Sequence, residues 1–187
     1  DIKIDIINNS TNFCLRFDGK KEKFFINGAS RHSPLNAALS VATAIYCGCP
    51  LSNIKERLKF IDLPERRLAI SNSLRGSILI DDSYNSNPAS LKNAVDSLEG
   101  LKRKKICILG DMKELGSDSQ KIHQEMYEYI SERVDQIFCI GGEWSTCSPN
   151  EKKDLSIFEN QDDLYSHLIS IIDKKTILLV KGSRSTR

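Results

Sequence analysis

Ile78-Leu79-Ile80-Asp81-Asp82-Ser83-Tyr84-Asn85-Ser86-Asn87-Pro88 decides how this chain is read. An apolar, strand-like run ends in two carboxylates and passes through polar turn residues to Asn87-Pro88. Asn is a good helix N-cap, and Pro fits the first helical position because no N–H is needed there. Two acids therefore stand at the carboxyl end of a strand, just ahead of a helix. In open α/β sheets that edge is where ligands bind. A plain turn needs only one Asp or Asn to hold its own backbone. The longer run of polar side chains points to a ligand-facing loop.

Downstream the same rhythm repeats. The patterning predicts strands over 77–80, 105–109, 136–140 and 176–180. It predicts helices over 88–98, 117–134 and about 162–172, the second opening on a Ser117/Gln120 capping box. Short apolar strands alternating with amphipathic helices give an α/β domain, a mostly parallel sheet with helices on both faces. Each predicted strand runs into a polar or Gly-rich turn: Asp81-Asp82-Ser83, Gly110-Asp111-Met112, Gly141-Gly142-Glu143 and Lys181-Gly182-Ser183-Arg184. In a parallel sheet these turns share one edge. Carboxylates, a Lys and an Arg then converge on one crevice, which favours a polar or phosphorylated ligand.

Upstream the pattern differs. Residues 2–7, 12–17 and 23–26 read as short strands, with Asp18-Gly19 as a hairpin turn. An Ala-rich helix is expected over about 34–46 and a shorter one over about 52–60. Leu63-Pro64-Glu65-Arg66-Arg67 breaks the pattern and marks a domain boundary, giving a partial α/β unit over 1–65 and a second domain over 66–187.

The 187 residues carry a net charge of +2 with acids and bases interspersed, so neither nucleic acid nor a membrane is expected as a partner. Lys102-Arg103-Lys104-Lys105 reads as a solvated loop before a strand. No apolar run approaches a membrane span, and no signal peptide is visible. The six cysteines read as reduced thiols of a cytoplasmic protein. Cys47-Gly48-Cys49 has no second pair and no nearby His, so no metal site is expected. His123 and His167 read as surface or boundary residues on helices, and Trp144 as packing. The start at Asp1 and the end directly after a strand suggest a piece of something longer.

Three long segments, 80–88, Leu109-Gly110-Asp111-Met112-Lys113-Glu114-Leu115-Gly116 and Val180-Lys181-Gly182-Ser183-Arg184-Ser185, resemble the Mur ligase family, the ATP-dependent amide-bond formers of peptidoglycan synthesis. Arg31-His32-Ser33-Pro34-Leu35-Asn36-Ala37-Ala38 is a weaker fourth match. The resemblance covers nearly the whole chain. It implies that residues 1–65 are the end of an ATP-binding central domain. Residues 66–187 would be a Rossmann-like C-terminal domain lacking its last helices. No G-x-x-x-x-G-K-[ST] loop occurs, so the P-loop is absent and the 187 residues alone are expected to be inactive.

In the family, ATP phosphorylates a carboxylate, and the incoming amine attacks the acyl phosphate through a tetrahedral intermediate. The resemblance assigns His32 and Asn36 to the adenine side, with Ser33 standing where the family usually has Asn. Arg66, or its neighbour Arg67, is the hinge arginine that approaches the phosphates and is the one catalytic candidate. Asp82 would take the ribose hydroxyls, with Asn85 and Asn87 lining the same cleft. Asp111, Lys181, Ser183 and Arg184 would face the incoming substrate. The cofactors implied are ATP and Mg2+, the latter with ligands mainly outside this sequence. The forms of the loops suggest UDP-N-acetylmuramoyl-tripeptide and D-alanyl-D-alanine as substrates of a cytoplasmic, monomeric bacterial enzyme.

Two other classes fit parts of the pattern. Asp81-Asp82, Asp111 and Lys181 imitate a phosphorylation-switch receiver domain, with Asp111 as acceptor. A non-catalytic module that keeps the cleft and binds a ligand is the other.

Overall fold

The computed structural model describes residues 2–5, 10–28, 33–61, 66–149 and 155–184. They form two compact units, one of residues 2–61 with Leu68–Ile70, the other of 66–67 with 71–184.

The first unit is a three-stranded antiparallel sheet and two helices. Strands β1 (Ile2–Asp5), β2 (Ser10–Phe17) and β3 (Lys20–Asn27) pair in sequence order. Asp18 and Gly19 both take positive φ, 47° and 73°, as a two-residue hairpin of the twist-matching kind requires. That turn sets Phe13 opposite Phe24, with rings stacked at 5.4 Å. Alternation puts Phe13, Phe24 and Ile26 on one face of the sheet. Ala37 and Val41 of α1 (Ser33–Tyr46) and Ile54 and Leu58 of α2 (Leu51–Leu58) close a small core over them. Both helices place apolar residues four apart, one stripe each.

The second unit is a six-stranded sheet in the order β4-β5-β9-β6-β7-β8. Its strands are β4 (Ala69–Asn72), β5 (Ile78–Asp81), β6 (Lys104–Gly110), β7 (Gln136–Ile140), β8 (Leu155–Phe158) and β9 (Thr176–Lys181). The β5–β9, β9–β6, β6–β7 and β7–β8 pairs are all parallel, so five strands end on one edge. The last strand in sequence, β9, is inserted between β5 and β6. Thr176, Ile177, Leu178 and Leu179 are all buried, the continuous apolar run of a strand covered on both faces.

Helices α3 (Pro88–Asp96) and α4 (Ser119–Ser131) pack together and bury Leu91, Val95, Met126, Tyr127 and Ile130. Helix α5 (Gln161–Ile171) seats Leu164 and Leu168 on Ile106, Phe138 and Leu178. Alternation along β6 sends Ile106 and Ile108 toward α5, and buries Cys107 and Leu109 on the opposite side.

The expected mostly parallel sheet with helices on both faces is what forms. Two short strands, β4 and β8, were not legible because neither has a clean apolar alternation: both leave their residues half-buried or exposed. The Ser117/Gln120 capping box does not form. Glu114 and Gly116 take positive φ, the chain makes a 3-10 turn over Gly116–Asp118, and α4 starts only at Ser119 with no side-chain cap. No helix of the described residues is long and apolar enough to cross a membrane.

Candidate functional site

The four polar turns foreseen from the sequence do stand together at the carboxyl edge of the sheet. The turn after β9 lies at their centre and is bonded to its neighbours on both sides.

On one side it holds the turn after β5. Lys181, only 2% exposed, donates from Nζ to Asp82 Oδ2 at 2.5 Å, to the Asn85 carbonyl at 2.8 Å and to the Asp82 carbonyl at 3.3 Å. Asp82 N–H in turn donates to the Val180 carbonyl. Asp81 behaves as a turn residue: its Oδ1 accepts from Ser83 N–H. Asn87 caps α3, accepting from Ser90 N–H while Ser90 Oγ accepts from Asn87 N–H. Its side-chain oxygen is thus held by the helix. Asn85 is exposed, and the cleft-facing part it offers Lys181 is its carbonyl.

On the other side the β9 turn holds the turn after β6. Ser183 N–H donates to the Asp111 carbonyl at 3.0 Å, and Lys113 N–H donates to Ser183 Oγ at 2.9 Å. Asp111 is 4% exposed, and its carboxylate turns inward. Oδ1 accepts from Glu143 N–H at 3.1 Å, and Oδ2 pairs with Lys113 Nζ at 2.9 Å. Gly141, at φ 128°, makes room for it. A Cβ there would stand 2.3 Å from Asp111 Oδ1. Arg184 is exposed at the end of the described chain.

The sequence reading missed three supports of this loop. His123 is a correction: it is fully buried, not a surface or boundary residue. Its Nε2 accepts from Met112 N–H at 3.1 Å, and its Nδ1 donates to the Ser119 carbonyl at 2.8 Å. The partners fix that tautomer, because one can only donate and the other only accept. Trp144, buried as expected, packs edge-on against His123 and donates from Nε1 to the Gly110 carbonyl at 3.0 Å. Glu143 accepts from Ser119 Oγ at 2.8 Å and lies 4.0 Å from Lys113 Nζ. Lys113 sits inside the recognised segment, but no spacing rule marks it. With a side chain 42% exposed, it is the cation of this loop that remains open to solvent.

Arg66 takes a positive φ of 60° and its carbonyl accepts from Tyr84 N–H. It lines a cleft of about 610 Å³ on the α5 side of the edge, with Ser83, Ile108, Ile140, Leu164, Val180 and Gly182 among its walls. Arg67 is occupied elsewhere, its guanidinium 4.4 Å from the centre of the Tyr84 ring. Of the two arginines, Arg66 is the one that faces the cleft. Asn36 belongs to the first unit, exposed on α1. His32 lies outside the described residues.

Cysteine chemistry is absent from this edge. Burial pushes the Cys107 thiol up to about 12 and that of Cys147 up to about 11, so both stay protonated. Among the described residues no three His, Cys, Asp or Glu side chains are grouped as a metal would need. The described residues therefore do not form a Mg2+ site of their own. The receiver-domain alternative also fails on geometry. Asp111 is buried and paired with Lys113, while Lys181 reaches Asp82 and Asn85 on the far side of β9.

A doubly wound α/β domain with interlocked polar loops at the carboxyl edge of a parallel sheet is thus the class defined here. A model of the "Mur ligase, glutamate ligase domain" matches residues 66–184, and the chain belongs to the Mur ligase family. Among curated relatives, the UDP-N-acetylmuramoyl-tripeptide–D-alanyl-D-alanine ligase of Haemophilus influenzae is 32% identical over 83% of this chain and 35% of its own length. That of Bacillus subtilis is 29% identical over 95% of this chain and 40% of its own. The chain thus spans well under half the length of these relatives. The solved UDP-N-acetylmuramoylalanyl-D-glutamyl-2,6-diaminopimelate–D-alanyl-D-alanyl ligase from Acinetobacter baumannii superposes with a TM-score of 0.86 at 28% identity, over all of this chain and 41% of the other. The fold is shared as well with the MurF ligase of Thermotoga maritima in complex with ADP, at a TM-score of 0.85 and 22% identity.

Proposed function

We propose that the chain is part of an ATP-dependent ligase that joins D-alanyl-D-alanine to UDP-N-acetylmuramoyl-tripeptide in bacterial cell-wall synthesis. One observation carries this reading most directly. The three segments that resemble the family are far apart in sequence, yet they meet as one hydrogen-bonded edge through Lys181 and Ser183. The Haemophilus influenzae and Bacillus subtilis relatives, which bear this activity in their names, match over 83% and 95% of the chain.

The first unit is read as the end of the ATP-binding central domain, with Asn36 and His32 on the adenine side. The second is read as the C-terminal domain. Two helices pack on one face of its sheet and, among the described residues, one on the other. The localisation proposed is the bacterial cytoplasm, and the enzyme a monomer with Mg2+ held by residues outside this sequence.

Within such an enzyme the chain's residues bind and align. ATP supplies the phosphoryl group that activates the tripeptide carboxylate. In this reading Asp82 takes the ribose hydroxyls, and Arg66 approaches the phosphates. Charge neutralisation and alignment supply most of the catalysis in such transfers. The carboxylate of the incoming dipeptide needs an open cation, and Lys113 and Arg184 are two that stand exposed at this edge. Asp111 and Ser183, first read as direct contacts, are better placed to hold the Lys113 loop.

The test uses the full-length parent. We expect phosphate release that depends on both UDP-N-acetylmuramoyl-tripeptide and D-alanyl-D-alanine, and no turnover by the 187 residues alone. Joining catalysed by the 187 residues alone would sink the reading. So would a parent whose ATP hydrolysis ignores the dipeptide.

A further inference from the structure

Lys181 stands where a cation for the substrate is expected, but its geometry suits another task. It is 2% exposed at the end of the central strand β9. An ammonium has three N–H donors. Three acceptors lie within reach, and all belong to the turn after β5: Asp82 Oδ2, the Asp82 carbonyl and the Asn85 carbonyl. A substrate carboxylate reaches this nitrogen only if one of those bonds is given up inside a buried pocket. Two of the three acceptors are backbone oxygens, so the side chain sets the path of residues 82–85 as well as the aim of the Asp82 carboxylate. Strand β9 reaches the β5 turn directly because it is inserted between β5 and β6.

We propose that Lys181 is a positioning residue for the nucleotide, holding the Asp82 carboxylate and the backbone of residues 82–85 in the form that receives the ribose, and that it does not touch the dipeptide. The inference rests on reading this edge as the ligase's nucleotide and dipeptide site. It separates two lysines of one edge: the buried Lys181 serves one substrate, and the half-exposed Lys113 faces the other.

The experiment compares wild-type parent with its Lys181→Met and Lys113→Met variants, varying ATP and D-alanyl-D-alanine separately. Lys181→Met is expected to raise KM for ATP about tenfold or more and to leave that for the dipeptide within about twofold, the loss of a charged hydrogen bond being felt by one substrate only. A rise for the dipeptide with ATP unchanged overturns the proposal, and so does no change in either. Should Lys181→Met fail to fold, amine labelling of the wild type decides. Lys181 should stay unlabelled in the folded protein with or without dipeptide. Labelling that D-alanyl-D-alanine suppresses overturns the proposal. A parent without ligase activity would end the ligase reading but not this one. ADP binding by calorimetry then decides: weakening in Lys181→Met supports the role, while equal binding, or no binding by the wild type, overturns it.

Discussion

The two edges of the parallel sheet use the same residues to opposite ends. At the amino edge, exposed carboxylates accept from backbone N–H and hydroxyl groups. Asp135 Oδ2 accepts from Lys105 N–H, and Asp173 Oδ1 accepts from Lys175 N–H and Thr176 Oγ1. Both aspartates remain exposed. At the carboxyl edge, Asp82 and Asp111 are withdrawn from solvent and bound by lysine ammonium groups, Asp82 by Lys181 of the neighbouring turn and Asp111 by Lys113 of its own, with Glu143 N–H of the turn after β7 donating to Asp111 as well. The difference teaches how to tell a turn carboxylate from one built into a site. The first stays in water and accepts from neutral donors. The second is withdrawn from solvent and tied to a cation, which costs desolvation and pays only where something beyond the turn is being held. Asp81 and Asp82 show both habits side by side, since Asp81 closes its own turn on Ser83 and Asp82 reaches across to Lys181.

Gly141→Ala tests the contrast hardest. The position has φ 128°, and a Cβ would meet all three carboxylate atoms of Asp111 at 2.3 to 2.7 Å. Backbone strain and overpacking each cost about 1–3 kcal/mol, so the variant should lose on the order of 3 kcal/mol in urea denaturation. Asp111 would be driven off Glu143 N–H and Lys113. A loss below about 0.5 kcal/mol, the range of an ordinary surface substitution, would mean that the Asp111 pocket is not the tight fit described.

Much of this comparison was legible in the sequence, and the reasons mark where reading stops. Short apolar strands alternating with helices gave away the parallel sheet, and parallel strands must share their carboxyl edge. Asn87-Pro88 announced the start of α3, which the structure caps as expected. What stayed hidden is pairing at long range. Lys181 meets Asn85 across 96 residues of sequence and Lys113 meets Ser183 across 70. Neither follows from local pattern, because the insertion of β9 between β5 and β6 decides both. His123 was misjudged for another reason: charged neighbours drew the eye, although Met126, Tyr127 and Ile130 stand three, four and seven positions further on and put it on the buried stripe of α4.

Lys113→Met sharpens the contrast at intermediate scale. The Lys113 ammonium is half open to water but Asp111 is buried, so losing the cation leaves a buried carboxylate and costs more than the roughly 0.2–1 kcal/mol of an exposed pair. Denaturation should therefore show a loss of about 1–2 kcal/mol. In the parent enzyme, KM for D-alanyl-D-alanine should rise while that for ATP holds. A variant that kept both constants would remove Lys113 from the dipeptide site and leave Arg184 as an exposed cation there.

Asp173→Ala probes the amino edge and should have the smallest effect, one that depends on pH. Hydrogen bonds from Lys175 N–H and then Thr176 Oγ1 hold the Asp173 carboxyl below the ordinary carboxylate range. A depressed folded value means that the unfolded chain takes up the proton first on acidification. The contribution of Asp173 is thus complete above the unfolded value, about 3.9. It is lost as pH falls through the lowered folded value. The wild type should be slightly more stable than Asp173→Ala at pH 7, and the gap in denaturation midpoint should narrow below about pH 4. A gap that widens on acidification would contradict the assignment of Asp173 as a locally bonded, ionised turn residue. Asp173 would then need a partner beyond the Lys175 and Thr176 donors of its own turn.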